Sequence, residues 1–155
     1  MKFFLLSSFV LMFFGLLGQA IPEENGGYLA VEAESFDSQS LDEIRKWYVL
    51  NGDSSVDNQR GEAEGFYKTA SGEAYMMVLP DSRKTHDDQL IPGENFSNEP
   101  GRLAVLNYRV QFNHAGKYFV WVRTLSTGTE DNGLHVGIDG VWPESGQRMQ
   151  WCDGK

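Results

Sequence analysis

The chain is 155 residues long, carries 22 acidic against 13 Lys/Arg residues for a formal charge of −9, and has one cysteine. The length suits a single domain with a real core. The charge argues against a nucleic-acid partner, whose phosphates would be repelled, and suits a neutral ligand or one bridged by a cation.

Residues 1–20 read as a secretory signal. Lys2 is a minimal positive region, residues 3–17 are almost wholly apolar, and Gly18-Gln19-Ala20 supplies the small residues a signal peptidase requires, so cleavage after Ala20 is expected. The apolar run is short for a bilayer span, and no second one follows. The expected product is residues 21–155, an exported soluble domain: secreted, periplasmic or held at a cell surface.

In chain order, residues 28–34 read as a strand. Successive strand side chains alternate, so Glu32 and Glu34 are expected on one face and Val31, Ala33 and Ser35 on the other. Neighbouring anions repel unless a cation lies between them, and carboxylate oxygens suit calcium. The plainer alternative is a solvated edge strand. Residues 41–47 have a short helical pattern, with Ser40 as N-cap ahead of Asp42 and Glu43. Residues 47–50 form a short apolar run broken by Asn51-Gly52-Asp53, and 51–65 read as a loop.

Residues 74–79 are an apolar run ending at Pro80, and 80–102 form a long Pro- and Gly-containing loop of the kind that carries function or moves. Residues 103–112 alternate well. After the turn His114-Ala115-Gly116-Lys117, residues 118–125 alternate again, with Tyr118, Val120 and Val122 on one face and Phe119, Trp121 and Arg123 on the other. Residues 126–133 are a polar connection, and 134–139 lead into an Asp139-Gly140 turn. Strands separated by turns, with one short helix, indicate an all-β sandwich.

Four tryptophans in such a chain suggest carbohydrate binding, because aromatic faces stack on the C–H faces of sugar rings while polar groups take the hydroxyls. Trp121 and Trp142 are the candidate stacking faces; alternatively, Trp121 packs under a loop. Asp131 and Asn132 are candidates to grip hydroxyls, or to form an Asx turn with their own backbone. Trp47 is expected in the core.

His86-Asp87-Asp88 lacks metal-site spacing, since adjacent side chains do not converge on one ion. Asn95-Phe96-Ser97 matches a glycosylation acceptor, a match common by chance. No Gly-x-Ser-x-Gly elbow, phosphate-binding glycine loop or convincing carboxylate pair for sugar hydrolysis is present, so no catalytic residue is assigned.

With these elements placed, Leu29-Ala30-Val31-Glu32-Ala33-Glu34-Ser35-Phe36 resembles the acidic, alternating opening strand of carbohydrate-binding module families 6 and 35. Gly116-Lys117-Tyr118-Phe119-Val120-Trp121-Val122-Arg123 resembles a later strand of those domains, and residues 130–140 resemble the strand and turn after it. The resemblance covers roughly residues 28–151 and points to modules of exported bacterial polysaccharide-related proteins. It implies a galactose-binding-like jelly roll, a polysaccharide or oligosaccharide ligand, and a structural calcium held by Glu32 and Glu34. Such domains close with a strand bearing an acid that completes the calcium shell. Nothing of that kind stands near Lys155, so the resemblance implies a C-terminally truncated domain, which would also explain the solitary Cys152. The alternatives are an accessory piece of a glycoside hydrolase or polysaccharide lyase whose catalytic domain lies beyond Lys155, and a cell-surface interaction domain with no sugar ligand.

Overall fold

The computed structural model describes residues 20–53, 65–126, 130 and 132–150. The expected signal segment up to Gln19, Asp131 and Cys152 therefore lie outside the described residues. The described chain is all-β, with short 3-10 turns and no long helix. No helix among the described residues is long and apolar enough to cross a membrane.

Six strands form three antiparallel two-stranded ribbons: β1 (Ser38–Ser40) with β4 (Val105–Asn107), β2 (Lys46–Asn51) with β3 (Ala74–Leu79), and β5 (Gly133–Leu134) with β6 (Met149–Gln150). The β2–β3 ribbon is the longest. Its register runs from Lys46 opposite Leu79 to Asn51 opposite Ala74. Both strands are rich in aromatic, β-branched and other apolar residues, which fit a pleated, half-buried surface. Pro80 follows β3 and offers no N–H to extend it.

The core lies on one face of the β2–β3 ribbon and just ahead of β4. Leu50 (2% exposed), Leu79 and Ala104 are its buried apolar residues. Gln39 of β1 turns its side-chain amide onto Trp47 of β2, accepting from the Trp47 N–H at 3.1 Å and donating to the Trp47 carbonyl at 3.2 Å. The Trp47 indole N–H donates to the Ala104 carbonyl at 2.6 Å, just ahead of β4. One residue thus ties β1, β2 and the approach to β4 together, although Trp47 is half-buried and is not among the buried core residues where it is expected.

The helix expected at 41–47 is absent. Leu41 takes a left-handed conformation (φ +53°) and its carbonyl accepts from the Ala104 N–H at 2.9 Å. Arg45 reaches back along β3, donating to the Pro80 carbonyl at 3.0 Å and standing 3.9 Å from Asp81. These tertiary bonds outweigh a weak local propensity. Only the Asp42–Lys46 ion pair at 3.5 Å retains the helical i, i+4 spacing.

The strand expected at 28–34 is also absent. Gly26 (φ +60°) and Gly27 (φ +85°) close a two-residue turn in which Asn25 and Tyr28 exchange backbone bonds of 2.9 and 3.1 Å. Ahead of it, Glu24 is 1% exposed. Its carboxylate accepts from the Gly27 N–H (2.6 Å) and the Asn113 N–H (3.2 Å), and meets His114 Nδ1 at 2.7 Å. The bond to His114, then that from Gly27, holds the Glu24 carboxyl below its ordinary value. This clamp and the Glu23–Gln111 bridge bind the N-terminal segment to residues 111–114. Beyond the turn, a 3-10 turn at Ala33–Ser35 packs against β3, and the acid-bearing run has no ladder partner among the described residues.

Of the expected strand 103–112, only Val105–Asn107 is paired in a ribbon. The strand expected at 118–125 forms no pairing among the described residues, although residues 117–126 run without turn, bend or helix. Alternation makes a two-faced ribbon, but a ladder also needs a neighbouring backbone. The Asp139-Gly140 turn forms as expected, with Asp139 at φ +51°, Gly140 at φ +74°, and mutual Ile138–Val141 bonds of 2.9 Å.

Candidate functional site

Glu32 and Glu34 approach the same turn by a route other than strand alternation. Glu32 is extended and precedes the 3-10 turn; Glu34 lies within it. The Glu32 Oε1 accepts from the Ser71 hydroxyl at 2.9 Å. The Glu34 Oε1 lies 3.8 Å from where a Cβ on Gly72 would stand. Gly72 (φ +62°) takes the left-handed conformation that glycine tolerates best, in the 3-10 turn Ser71–Glu73 leading into β3. The Tyr108 hydroxyl donates to the Ala33 carbonyl at 2.7 Å and holds the acid-bearing turn against the sheet. Burial, and secondarily the charge of Glu34, pushes the Tyr108 phenol up to about 12.

The oxygens gathered here are two carboxylates and a hydroxyl, the donor type of a hard cation. Among the described residues, no group of three or more His, Cys, Asp and Glu side chains forms a metal site. Ser71 was not singled out from the sequence; the small-residue stretch Ala70-Ser71-Gly72 ahead of an apolar run was the available signal.

The second element is the unpaired ribbon. Trp121 is 92% exposed and Phe119 is 74% exposed. Lys117 Nζ lies 4.9 Å from the Phe119 ring centroid, a cation–π distance. Arg123 donates from Nη2 to the Thr69 carbonyl at 3.2 Å. Two positions after Thr69, Ser71 holds Glu32, so the aromatic ribbon and the acid pair are anchored on one short stretch.

Trp142 is held elsewhere. Its indole is half-buried against Gly101 and Gly137, where an added Cβ would come within 3.0 and 2.9 Å of indole atoms respectively. Its carbonyl accepts from the Gln147 side chain at 2.8 Å. No ring contact or hydrogen bond joins it to Trp121 among the described residues. Asn132 is half-buried.

The 80–102 loop is an internally bonded structure. Asp88 Oδ2 accepts from the Lys84 and Thr85 N–H groups, both at 3.0 Å. Glu130 contacts Arg83 and His86, joining this loop to the polar connection after the ribbon. The Asn95 amide donates to Ser82 Oγ (3.2 Å) and the Gln89 carbonyl (3.0 Å), so the glycosylation-like triplet has its asparagine engaged internally.

An uncharacterized protein, P23, of Formosa agariphila is 57% identical to the chain over 133 residues, which is 86% of the chain and 32% of P23. The chain thus spans about a third of the length of that curated relative. No family model and no solved structure matches the chain.

Proposed function

We propose that this chain is a non-catalytic, exported carbohydrate-binding domain of the galactose-binding-like jelly-roll kind, with Trp121 as its principal stacking face. The observation that carries the reading is the exposure of Trp121 beside Phe119. Soluble domains leave contiguous aromatic surface open mainly where something binds, and a flat ring presented to solvent matches the C–H face of a sugar. Asn132 and Asp131 follow the ribbon closely in sequence and are the proposed hydroxyl contacts. Trp142 is a lesser contributor, since glycines 101 and 137 already cover part of it.

Glu32 and Glu34, with the Ser71 hydroxyl, are the proposed holders of a structural calcium. When bound, the ion would neutralise the acid pair and pin the 3-10 turn to the start of β3. Two carboxylates and one hydroxyl fall short of the six to eight oxygens calcium takes, so carbonyls, water or further side chains complete this shell. A second reading, in which the domain serves a longer polysaccharide-active enzyme by raising the local concentration of its substrate, draws on the length of P23.

Affinity electrophoresis or titration calorimetry against a panel of polysaccharides tests the proposal. Trp121→Ala is expected to weaken binding about tenfold, the worth of one aromatic stack, and chelator to weaken it through loss of order at residues 32–35. Undiminished binding by Trp121→Ala removes the proposed site; absence of binding to every member of the panel removes the proposed function.

A further inference from the structure

The three histidines of the chain meet acid in different ways. His114 and His86 each set Nδ1 against a carboxylate, of Glu24 and Glu130 respectively, so a second ring proton strengthens both contacts. Half-buried His135 has backbone partners instead. Its Nε2 stands 3.2 Å from the Ser97 carbonyl, and its Nδ1 accepts from the Arg148 N–H at 3.1 Å. A carbonyl only accepts and an amide N–H only donates, so the ring is neutral with its proton on Nε2.

This imidazole continues a ladder. In the β5–β6 ribbon Gly133 faces Gln150 and Leu134 faces Met149, and the same register brings His135 opposite Arg148. Arg148 departs from strand geometry with φ +51°, a left-handed conformation costly outside glycine. Its N–H goes to the His135 ring in place of a backbone carbonyl. One step further, the Val136 N–H donates to the carbonyl of buried Gly146 at 2.7 Å. His135 and Arg148 thus close the base of the 135–148 loop, and Ser97 ties that base to the 80–102 loop. The 135–148 loop carries Trp142, whose indole lies against Gly137 and Gly101.

We propose that His135 is an acid-sensitive latch: on taking a second proton its ring releases the Arg148 N–H and opens the base of the loop that carries Trp142. A proton on Nδ1 points at the Arg148 N–H, which sets two donors together with no acceptor, so the 3.1 Å bond is lost. Arg148 is then free to leave its left-handed conformation. The surrounding charges favour this outcome. Arg148 is itself cationic, its guanidinium 5.9 Å from the Phe96 ring centroid. Glu99 and Arg102, beyond Ser97 on the neighbouring loop, pair with each other at 2.9 Å. Asp139 and Glu144, within the 135–148 loop, are exposed. Among the described residues no carboxylate bonds the imidazole, so none holds an imidazolium in the closed form. The open form accepts the second proton and the closed form has no place for it, so falling pH favours opening. The latch does not rest on sugar being the ligand.

NMR of the nitrogen-labelled chain tests this. At neutral pH the His135 ring is expected to show a bare Nδ1 and a protonated Nε2; the opposite tautomer would overturn the proposal without any substitution. Between about pH 7.5 and about pH 5, either side of the ordinary imidazole range, exchange protection of the Arg148 and Val136 amides, taken relative to the unfolded chain, is expected to fall about fivefold, the effect of losing one hydrogen bond. The Trp142 indole resonance is expected to shift with the same midpoint. His135→Gln keeps an acceptor for Arg148 and a donor for Ser97 and cannot charge, so it should retain the neutral-pH protection and lose the pH response. His86→Gln and His114→Gln should leave that response unchanged. Level protection across the range in the parent, a response that survives in His135→Gln, or one that vanishes in His86→Gln or His114→Gln would each overturn the latch.

Discussion

Strand β3 and the ribbon at 118–125 are near equals in sequence and opposites in structure. Ala-Tyr-Met-Met-Val-Leu in β3 has six registered partners on β2, ending at Leu79, which is buried. Tyr-Phe-Val-Trp-Val-Arg-Thr-Leu has none among the described residues, and its Trp121 is almost wholly exposed. Intrinsic preference is similar in both, so what separates them is whether a second backbone lies alongside. The same residue type accordingly has two uses. Trp47 joins the two ribbons through its indole N–H and its backbone, whereas Trp121 offers its ring to solvent.

The contrast breaks most visibly at Trp47. Trp47→Ala removes a half-buried indole and leaves the Ala104 carbonyl without its 2.6 Å donor. A fully buried Trp→Ala change costs about 3–5 kcal/mol, so this half-buried one is expected to cost about 2 kcal/mol, and an unpaired acceptor adds to that. Urea denaturation should show a much lower midpoint. A midpoint within error of the parent would mean that the joint between β1, β2 and β4 does not stabilise the fold.

What could be read from the sequence follows the same division. The β2 and β3 apolar runs, the Pro80 stop and the Asp139-Gly140 turn are written locally, in side-chain pattern and backbone preference, and they are where expected. The helix expected at 41–47 and the strand expected at 28–34 do not form because the outcome there is decided by distant partners: Ala104 and Pro80 for the first, and Ser71 and Tyr108 for the second. Glu32 and Glu34 were legible as an acidic pair, but their shared approach to Ser71 and Gly72 depends on a left-handed glycine that alternation does not encode. The Glu24 clamp gave no sequence signal, because a single Glu and a His 90 positions apart form no motif.

That clamp sharpens the comparison through pH. Glu24 has its carboxyl lowered from the ordinary 4.5, chiefly by His114. Asp37 is lowered from 3.8, chiefly by Arg109, whose Nε and Nη2 donate at 2.8 and 2.7 Å. In each case the unfolded carboxyl binds its proton at a higher pH than the folded one, so stability is fully present above the ordinary values and drains away as pH falls through the folded ones. Thermal melts should hold level at neutral pH and decline below about 4.5. Glu24→Gln should lessen the decline and lower stability at neutral pH. An unchanged acid limb in Glu24→Gln would show that the carboxylate contributes nothing to folding.

The smallest expected effect on stability is at Trp121, and its smallness is informative. An indole that is 92% exposed loses little to solvent when the protein unfolds, so Trp121→Ala should move stability by no more than about 0.5 kcal/mol. The same substitution is expected to weaken polysaccharide binding about tenfold. A residue that contributes to binding while contributing nothing to the fold is held as a contact surface, and Trp47 supplies the reverse case in the same molecule. If Trp121→Ala instead destabilised the chain as much as Trp47→Ala, the ribbon would have to be packed under other structure, and no sugar could reach it as proposed.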